Sequence, residues 1–322
     1  MAKKTALILA GGGGHTSIAL AIAQILFGKV EMSFLVPERD WLSRKILTKY
    51  GKVRNIAKLR DPLTPNYQMI VKFPMAFMKS FQEVKNYDLV VSCGSNFCIP
   101  PAVVAWLRRI PVINIESRVA IRTPSKTARI LHPVSSLTVL QWDEQKRNLK
   151  GIVTGPIFPR REFKPWNGGY ILVTGGTEGH KQLFDALSDS DLHNIVLQTG
   201  KIDPRIYSNK HPEWKVFSMS EKFQEILAGA DIVITHQGGG TIFESILYEK
   251  PLIIVHNTDL KRTAGVEDIR ILALKANAMF LIKITTNHIL HAINEIKKHI
   301  SPRLPNGSEN LCEMILKILN NV

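Results

Sequence analysis

The strongest constraint on this sequence is a series of short, unbroken apolar runs separated by helix-patterned stretches. TALILA (5–10), MSFLV (32–36), DLVVS (88–92), PVINI (111–115) and SLTVL (136–140) fall in the first half. None alternates apolar with polar residues, so none suits a sheet with one wet face. Continuous β-rich runs fit a parallel sheet covered on both faces, and the intervening helices supply that cover. Helical patterns lie at 16–27, 41–49 and 102–109. Gly155-Pro156, Pro159, Pro165 and Gly168-Gly169 then crowd a short stretch, a breaker density suited to a domain junction. Beyond it the pattern restarts with YILVT (170–174), NIVLQ (194–198), WKVF (214–217), DIVIT (231–235), PLIIV (251–255) and AMFLI (278–282).

The 322 residues suit two domains. The expected architecture is α/β, with two tandem Rossmann-like, doubly wound parallel sheets. The boundaries read as 1–156, a linker at 157–169, and 170–322, with the last helix able to pack back on the first domain. Ligands of such sheets sit beyond the carboxyl ends of the strands, so a cleft between the domains is the expected site.

Charge is distributed unevenly. Residues 1–156 carry 23 Lys+Arg against 9 Asp+Glu, or +14, whereas residues 157–322 carry 19 against 18, or +1. A one-sided basic surface implies an anionic partner for the first half, such as lipid head groups or a phosphorylated substrate. Nucleic acid fits poorly, because no Lys/Arg run interleaves with aromatics. No stretch approaches the roughly 18 apolar residues of a spanning helix. Lys3-Lys4 before ALILA mimics a signal peptide, but four glycines and a histidine stand where a cleavage site should be. Three cysteines, Cys93, Cys98 and Cys312, make no bridge framework or metal spacing and suit a reducing compartment. YQMIVKFPMAFMKSF (67–81) mixes Met and Phe with Lys72 and Lys79. Core packing is its plainer reading, and an interfacial membrane contact the sharper one.

Gly11, Gly12, Gly13, Gly14 and His15 join the first strand to the first helix. Glycines there let backbone approach a phosphate, and the helix terminus adds N–H groups and a positive dipole. A dinucleotide site would want an acid ending the second strand, where Glu38 fits poorly. His15 at a helix start is disfavoured as imidazolium, hence able to accept a proton, although an inert loop histidine is the plainer reading. Glu116 ends PVINI, which is a catalytic placement, or else a simple N-cap or a surface partner for Arg118 or Arg122. Arg118, Arg122, Lys126 and Arg129 could hold a pyrophosphate or form a solvated face. In the second half, Thr174-Gly175-Gly176-Thr177 and His236-Gln237-Gly238-Gly239-Gly240-Thr241 each follow a strand and precede a helix. Glu244, one turn further on, could accept both hydroxyls of a ribose, or merely favour the helix dipole. Two such loops with an acid after the second point to a nucleotide.

These motifs carry a resemblance over nearly the whole chain. THQGGGTIFESILYEKPLIIV resembles the C-terminal signature of inverting GT-B glycosyltransferases of the MurG type, in family 28. With VTGGTEGHKQLFDAL, it is also similar to the catalytic subunit of the two-subunit enzyme that adds the second GlcNAc in the dolichol pathway. GGGGHTSIAL, INIESRV and LQW (140–142) resemble its membrane-anchored partner subunit. The resemblance implies a fused, prokaryotic, archaeal version acting in lipid-linked oligosaccharide assembly for N-glycosylation. It implies catalytic roles for His15 and Glu116, and acceptor-phosphate contacts near Gly12, Gly13, Gly14, Arg118 and Arg122. It puts the donor on Gly175, Gly176, Thr177, His236, Gly239, Gly240 and Thr241, with the uracil at Met219 and Ser220 and the ribose at Glu244. In one departure, Gly265-Val266-Glu267-Asp268 replaces a His-Gln or Gln-Gln pair that contacts the donor sugar.

The implied reaction moves GlcNAc from UDP-GlcNAc to the 4-hydroxyl of a polyprenyl- or dolichyl-pyrophosphate-GlcNAc, with inversion. A base must take the hydroxyl proton, and His15 and Glu116 both remain candidates. No acidic pair suggests a metal, so the glycine loops and helix dipoles must stabilise departing UDP, with no cofactor. The expected setting is cytoplasmic and peripheral, on an anionic membrane's cytoplasmic face, with a homo-oligomer left open. Three rivals are a peptidoglycan lipid II-type transferase, a soluble UDP-GlcNAc 2-epimerase and a lipid-binding adaptor. The epimerase needs no +14 domain, and the intact donor motif argues against the adaptor.

Overall fold

The computed structural model describes residues 3–60, 67–260, 264–299 and 303–321. The chain forms two compact units. One comprises Met1–Arg160 and Pro305–Val322, and the other Arg161–Leu304.

The first unit is built on β1 (Thr5–Leu9), β2 (Glu31–Pro37), β3 (Lys52–Ile56), β4 (Leu89–Ser92), β5 (Val112–Ile115), β6 (Leu137–Leu140) and β7 (Ile152–Val153). All pair in parallel, in the order β3-β2-β1-β4-β5-β6-β7. Its helices are α1 (Gly14–Leu26), α2 (Trp41–Leu47), α3 (Tyr67–Glu83), α4 (Ile99–Leu107) and α5 (Lys126–Leu131). The unbroken apolar runs all became strands. Two strands escaped that reading, β3 (KVRNI) and β7, and both lie at sheet edges, where one side stays wet and polar residues are tolerated. Helix α4 begins at Ile99 rather than 102, because Pro100 and Pro101 occupy a first turn whose N–H groups have no intrahelical partner anyway.

The second unit holds β8 (Ile171–Thr174), β9 (Ile195–Gln198), β10 (Lys215–Phe217), β11 (Ile232–His236), β12 (Leu252–Val255) and β13 (Met279–Leu281). Their order is β10-β9-β8-β11-β12-β13, again parallel. Helices α6 (Lys181–Ser188), α7 (Arg205–Ser208), α8 (Phe223–Gly229), α9 (Gly239–Leu247), α10 (Val266–Lys275) and α11 (Thr286–Ile296) cover it. This doubly wound, two-sheet arrangement is the GT-B fold.

The last helix, α12 (Ser308–Asn320), completes the first unit. Its Leu311, Cys312, Ile315 and Leu319 enter one core with Ile18, Ile22 and Leu26 of α1. The return is pinned where Gly307 N–H donates to Pro156 O at 2.8 Å and Ser308 Oγ donates to Phe158 O at 2.8 Å. Residues 155–169 carry no helix or strand. The unit boundary therefore falls at 160/161 within the expected linker, and 305–322 leave the expected second domain.

Helix α3 divides its apolar residues. Phe73 and Phe77 pack on a core of Leu35, Val84 and Phe97, whereas Ile70, Val71, Met75 and Met78 stand mostly in solvent. Core packing thus accounts for only one face of this helix.

Candidate active site

In both sheets the chain order reverses beside the first strand, between β1 and β4 and between β8 and β11. Ligands of open parallel sheets bind at such switch points, beyond the strand carboxyl ends. The residues singled out from sequence follow these strands.

In the first unit, β1 leads through Gly11–Gly13 into α1, whose N-cap Gly13 offers no side chain to its first turn. Gly12 and Gly13 both have positive φ, at 83° and 54°. His15 lies in that first turn and reaches across the switch point to the residue after β4. Its Nδ1 is 2.8 Å from the carbonyl oxygen of Cys93. A carbonyl can only accept, so Nδ1 carries the proton and Nε2 presents a lone pair. Burial lowers the His15 pKa to about 4; the Cys93 carbonyl opposes this, while Arg118 and Lys58 lower it further. His15 is therefore a neutral acceptor beside two cations. Gly94 makes room for the ring, since a Cβ there would lie 2.7 Å from Nδ1.

Glu116 follows β5 and is 1% exposed. Its Oε1 accepts from Ser117 N–H at 2.6 Å and its Oε2 from Ser125 N–H at 3.0 Å. The carboxylate thereby closes the loop 117–125. The LQW motif holds the same loop: Gln141 Nε2 donates to Glu116 O and Trp142 Nε1 to Arg118 O. Arg118 is also buried, and it donates to Ile157 O, to Gly14 O at 2.9 Å and to Ser17 Oγ. It thus fixes the turn that carries His15. Arg122 lies exposed on the same loop.

In the second unit, β8 enters the turn 175–179. Gly176 has φ 67°, and a Cβ there would lie 2.8 Å from His236 Nε2. A Cβ on Gly175 would strike Gly179 and His180 backbone. Thr177 is exposed at the turn, and its carbonyl accepts from Lys201 N–H. On the other side, His236 ends β11 and its ring also abuts Gly238, where a Cβ would clash with Nε2. Gly239 and Gly240 form the first turn of α9 rather than a loop, with Gly238 as an N-cap that makes no side-chain bond. Thr241 is buried in this helix, and Glu244 is partly buried one turn on. Met219 and Ser220 follow β10, and Ser218 O accepts from Gly200 N–H beside the first turn.

Sequence reasoning missed several residues that build these edges. Asp40 caps α2 through Ser43, and lies so close that a Cβ on Gly12 would come 2.8 Å from its Oδ2. Asn257 exchanges two hydrogen bonds with Gln237, at 2.7 and 2.8 Å, and donates to Gly179 O, tying together the loops after β8, β11 and β12. His180, after the turn 175–179, is buried. An asparagine in a loop has no spacing signal, but a histidine inside a glycine turn could have been marked. Among the described residues, no three His, Cys, Asp or Glu side chains group as a metal would need. The three cysteines are free and buried.

Comparison with known proteins narrows the reading. Residues 170–264 match the glycosyltransferase family 28 C-terminal domain. A UDP-N-acetylglucosamine–N-acetylmuramyl-(pentapeptide) pyrophosphoryl-undecaprenol N-acetylglucosamine transferase of Bacillus cereus is 24% identical over 91% of this chain and 90% of its own. One from Prochlorococcus marinus is 26% identical over 87% and 83%. In fold, the chain is similar to Acinetobacter baumannii MurG, with a TM-score of 0.64 and 19% identity over 98% and 100% of the two chains. It is also similar to the Neisseria meningitidis UDP-GlcNAc 2-epimerase, with a TM-score of 0.68 and 16% identity over 97% and 100% of the two chains. The fold alone therefore does not choose between transferase and epimerase, but the family domain and the near-full-length relatives do. The chain is a glycosyltransferase, with the GT-B fold, a match to the family 28 C-terminal domain at 170–264, and similarity to MurG-type transferases over most of its length.

Proposed function

We propose that the enzyme transfers GlcNAc from UDP-GlcNAc to the 4-hydroxyl of a lipid-pyrophosphate-linked GlcNAc, with inversion, making a chitobiose-lipid for N-glycosylation. The observation that carries the mechanism is the His15–Cys93 hydrogen bond, which leaves Nε2 as the proton acceptor. His15 is the base in this reading. Glu116, engaged by Ser117 and Ser125, is the positioning residue that sets the loop beside it. The cations Arg118 and Lys58 that depress His15 favour an anion at the same edge, and an acceptor pyrophosphate would relieve that depression. As the acceptor oxygen attacks the anomeric carbon, its proton passes to His15 Nε2 and the bond to the UDP oxygen breaks. The first turn of α9 and the turn 175–179 then face the developing diphosphate charge with backbone N–H groups.

The test is incubation of the purified protein, in excess EDTA, with UDP-GlcNAc and a phytanyl- or dolichyl-pyrophosphate-GlcNAc. A β1,4-linked chitobiose product supports the proposal. A second reading, favoured by the acceptors in the relatives' names, is transfer to an N-acetylmuramyl-pentapeptide pyrophosphoryl lipid. Product from that acceptor alone would replace the first reading.

Donor binding can be probed separately. Gly238 has φ −76°, which alanine adopts freely, so Gly238→Ala tests the His236 clash without backbone strain. The alanine must displace His236 or the start of α9. UDP affinity measured calorimetrically should fall at least about tenfold, the equivalent of one lost charge-assisted contact. Unchanged affinity would remove both groups from the donor site.

Membrane contact belongs to the same reading, on the cytoplasmic face of an anionic membrane. Ile70, Val71 and Met78 of α3 are 77%, 71% and 67% exposed, and Trp106, Leu107 and Ile130 are about half exposed on α4, which packs against α3, and on α5, which packs against α4. Among the described residues no helix is long and apolar enough to cross a membrane. Part of the +14 is engaged internally, since Arg118 is buried, Arg54 pairs with Glu83 and Lys79 with Glu38. The protein should sediment with anionic vesicles, and salt should weaken this as the Debye length shrinks toward about 8 Å. Ile70→Ser with Met78→Ser should remove a residual, salt-resistant share. Absence of binding to both neutral and anionic vesicles would refute membrane contact.

A further inference from the structure

One cluster at the carboxyl edge of the second sheet joins His236 to two histidines, His180 and His256, that this mechanism does not use. His180 is the N-cap of α6, immediately after the turn 175–179, and is 1% exposed. Neither of its ring nitrogens has a hydrogen-bond partner. His236 at the end of β11 has an equally unpartnered, buried Nδ1, while its Nε2 abuts Gly176 and Gly238. His256 follows β12 directly. His180 and His236 interact electrostatically, as do His180 and His256. The strands that precede them, β8, β11 and β12, are neighbours in the sheet.

A buried imidazole must donate from one nitrogen and accept at the other, and leaving both unmet is unfavourable. An apolar side chain would fill the position of His180 better if packing were its only role. Among the described residues, the charged groups on and beside these loops are Glu178 and Lys201, ion-paired at 2.8 Å, Lys181, paired with Asp185, and Asp259. The three rings have no hydrogen bond to any of them. His180 is itself the N-cap of α6 and His236 stands two residues before the N-cap of α9, so the cluster lies beside two helix starts without side-chain caps. Polar nitrogens without partners beside capless helix starts fit a polyanion.

We propose that His180 binds the diphosphate of a nucleoside diphosphate sugar, and that the histidine cluster takes up a proton as this ligand binds. The inference rests on the donor assignment above and adds to it a residue and a proton. Burial holds both His180 and His236 near a pKa of about 4, so the unliganded cluster is neutral at pH 7. A diphosphate supplies the opposite charge and the acceptor oxygens that burial withholds. The imidazolium then becomes the favoured form. Returning one ring from about 4 to its ordinary 6.5 would strengthen binding about fourfold between pH 8 and 6, and about thirtyfold between pH 8 and 5.

The test is calorimetric titration of UDP-GlcNAc into the intact protein at pH 6 and pH 8, in buffers of differing ionisation heat. The diphosphate of this probe is a diester that does not titrate in that range, so any proton belongs to the protein. Roughly 0.7 proton should be taken up at pH 6 and almost none at pH 8, by the same linkage. His180→Gln should lose most of that uptake and bind about tenfold more weakly at pH 6, while His15→Ala keeps it. Should His180→Gln fail to fold, the wild-type uptake and the His15→Ala control still decide. Binding of UDP-GlcNAc without proton uptake would overturn the inference and leave the donor site intact. Failure of both UDP-GlcNAc and UDP to bind wild-type protein would overturn the donor assignment with it.

Discussion

His15→Ala is expected to lower the transfer rate by about a thousandfold while leaving the protein folded. A positioned general base contributes roughly 10²–10⁴-fold. The residue is only partly buried, and its side chain is held by a hydrogen bond to Cys93 O. Losing that neutral hydrogen bond costs about 1 kcal/mol of stability, too little to unfold a chain of this size. Glu116→Gln should behave differently. Both carboxylate oxygens accept backbone N–H groups, and an amide NH₂ cannot replace one of them. The loop 117–125 then loses a tie, so this variant should lose activity together with about 1–3 kcal/mol of stability. Paired measurement of kcat and the urea midpoint separates the two roles. A wild-type rate in His15→Ala would end its assignment as base. An unaltered midpoint in Glu116→Gln would mean that the carboxylate is not structural.

Much of this arrangement was legible because central strands and glycine turns leave strong marks. An unbroken run such as DLVVS has few alternatives to a doubly covered strand, and its neighbours in the sheet follow. The edge strand KVRNI left no such mark, because a half-solvated strand can be any mixture. His15 and Glu116 were visible because each follows an apolar strand run. Their division of labour was not, since it depends on which atoms meet Cys93 O, Ser117 N–H and Ser125 N–H. Arg118 read as a pyrophosphate ligand or part of a solvated face, and no spacing signal showed that its guanidinium would be buried against Gly14 O and Ile157 O. The same limit hid Asn257 and the meeting of His180 with His236. Their importance comes from loops brought together by sheet order, and residues 77 positions apart carry no common spacing signal.

Mild acid should destabilise the unliganded protein strongly, and three histidines with depressed pKa values set the pH window. His15, His180 and His236 each have a folded pKa of about 4 against an ordinary 6.5. Their folded forms resist protons that the unfolded chain accepts. Stability contributed by the neutral rings is therefore full above about pH 6.5, falls as pH drops, and stops falling near pH 4, when the folded state also protonates. At pH 5 each ring costs about 2 kcal/mol, so the three together remove on the order of 5 kcal/mol from a total of about 5–15. The carboxylates cannot mimic this loss. Asp88 and Glu249 have lowered pKa values, so their contributions are full above the usual carboxylate pKa and are lost as pH falls through and below it. The raised thiols Cys98 and Cys312 act only at alkaline pH. Urea titrations at pH 7.5, 6 and 5 should show the midpoint falling steeply across that interval. His180→Gln should flatten the fall by about a third, since one of three rings is gone. Saturating UDP-GlcNAc should flatten it too, because a ring protonated in the complex no longer opposes folding. A midpoint unchanged between pH 7.5 and 5 would mean that these rings are already charged or solvated in the native protein, and would remove the neutral His15 on which proton abstraction depends.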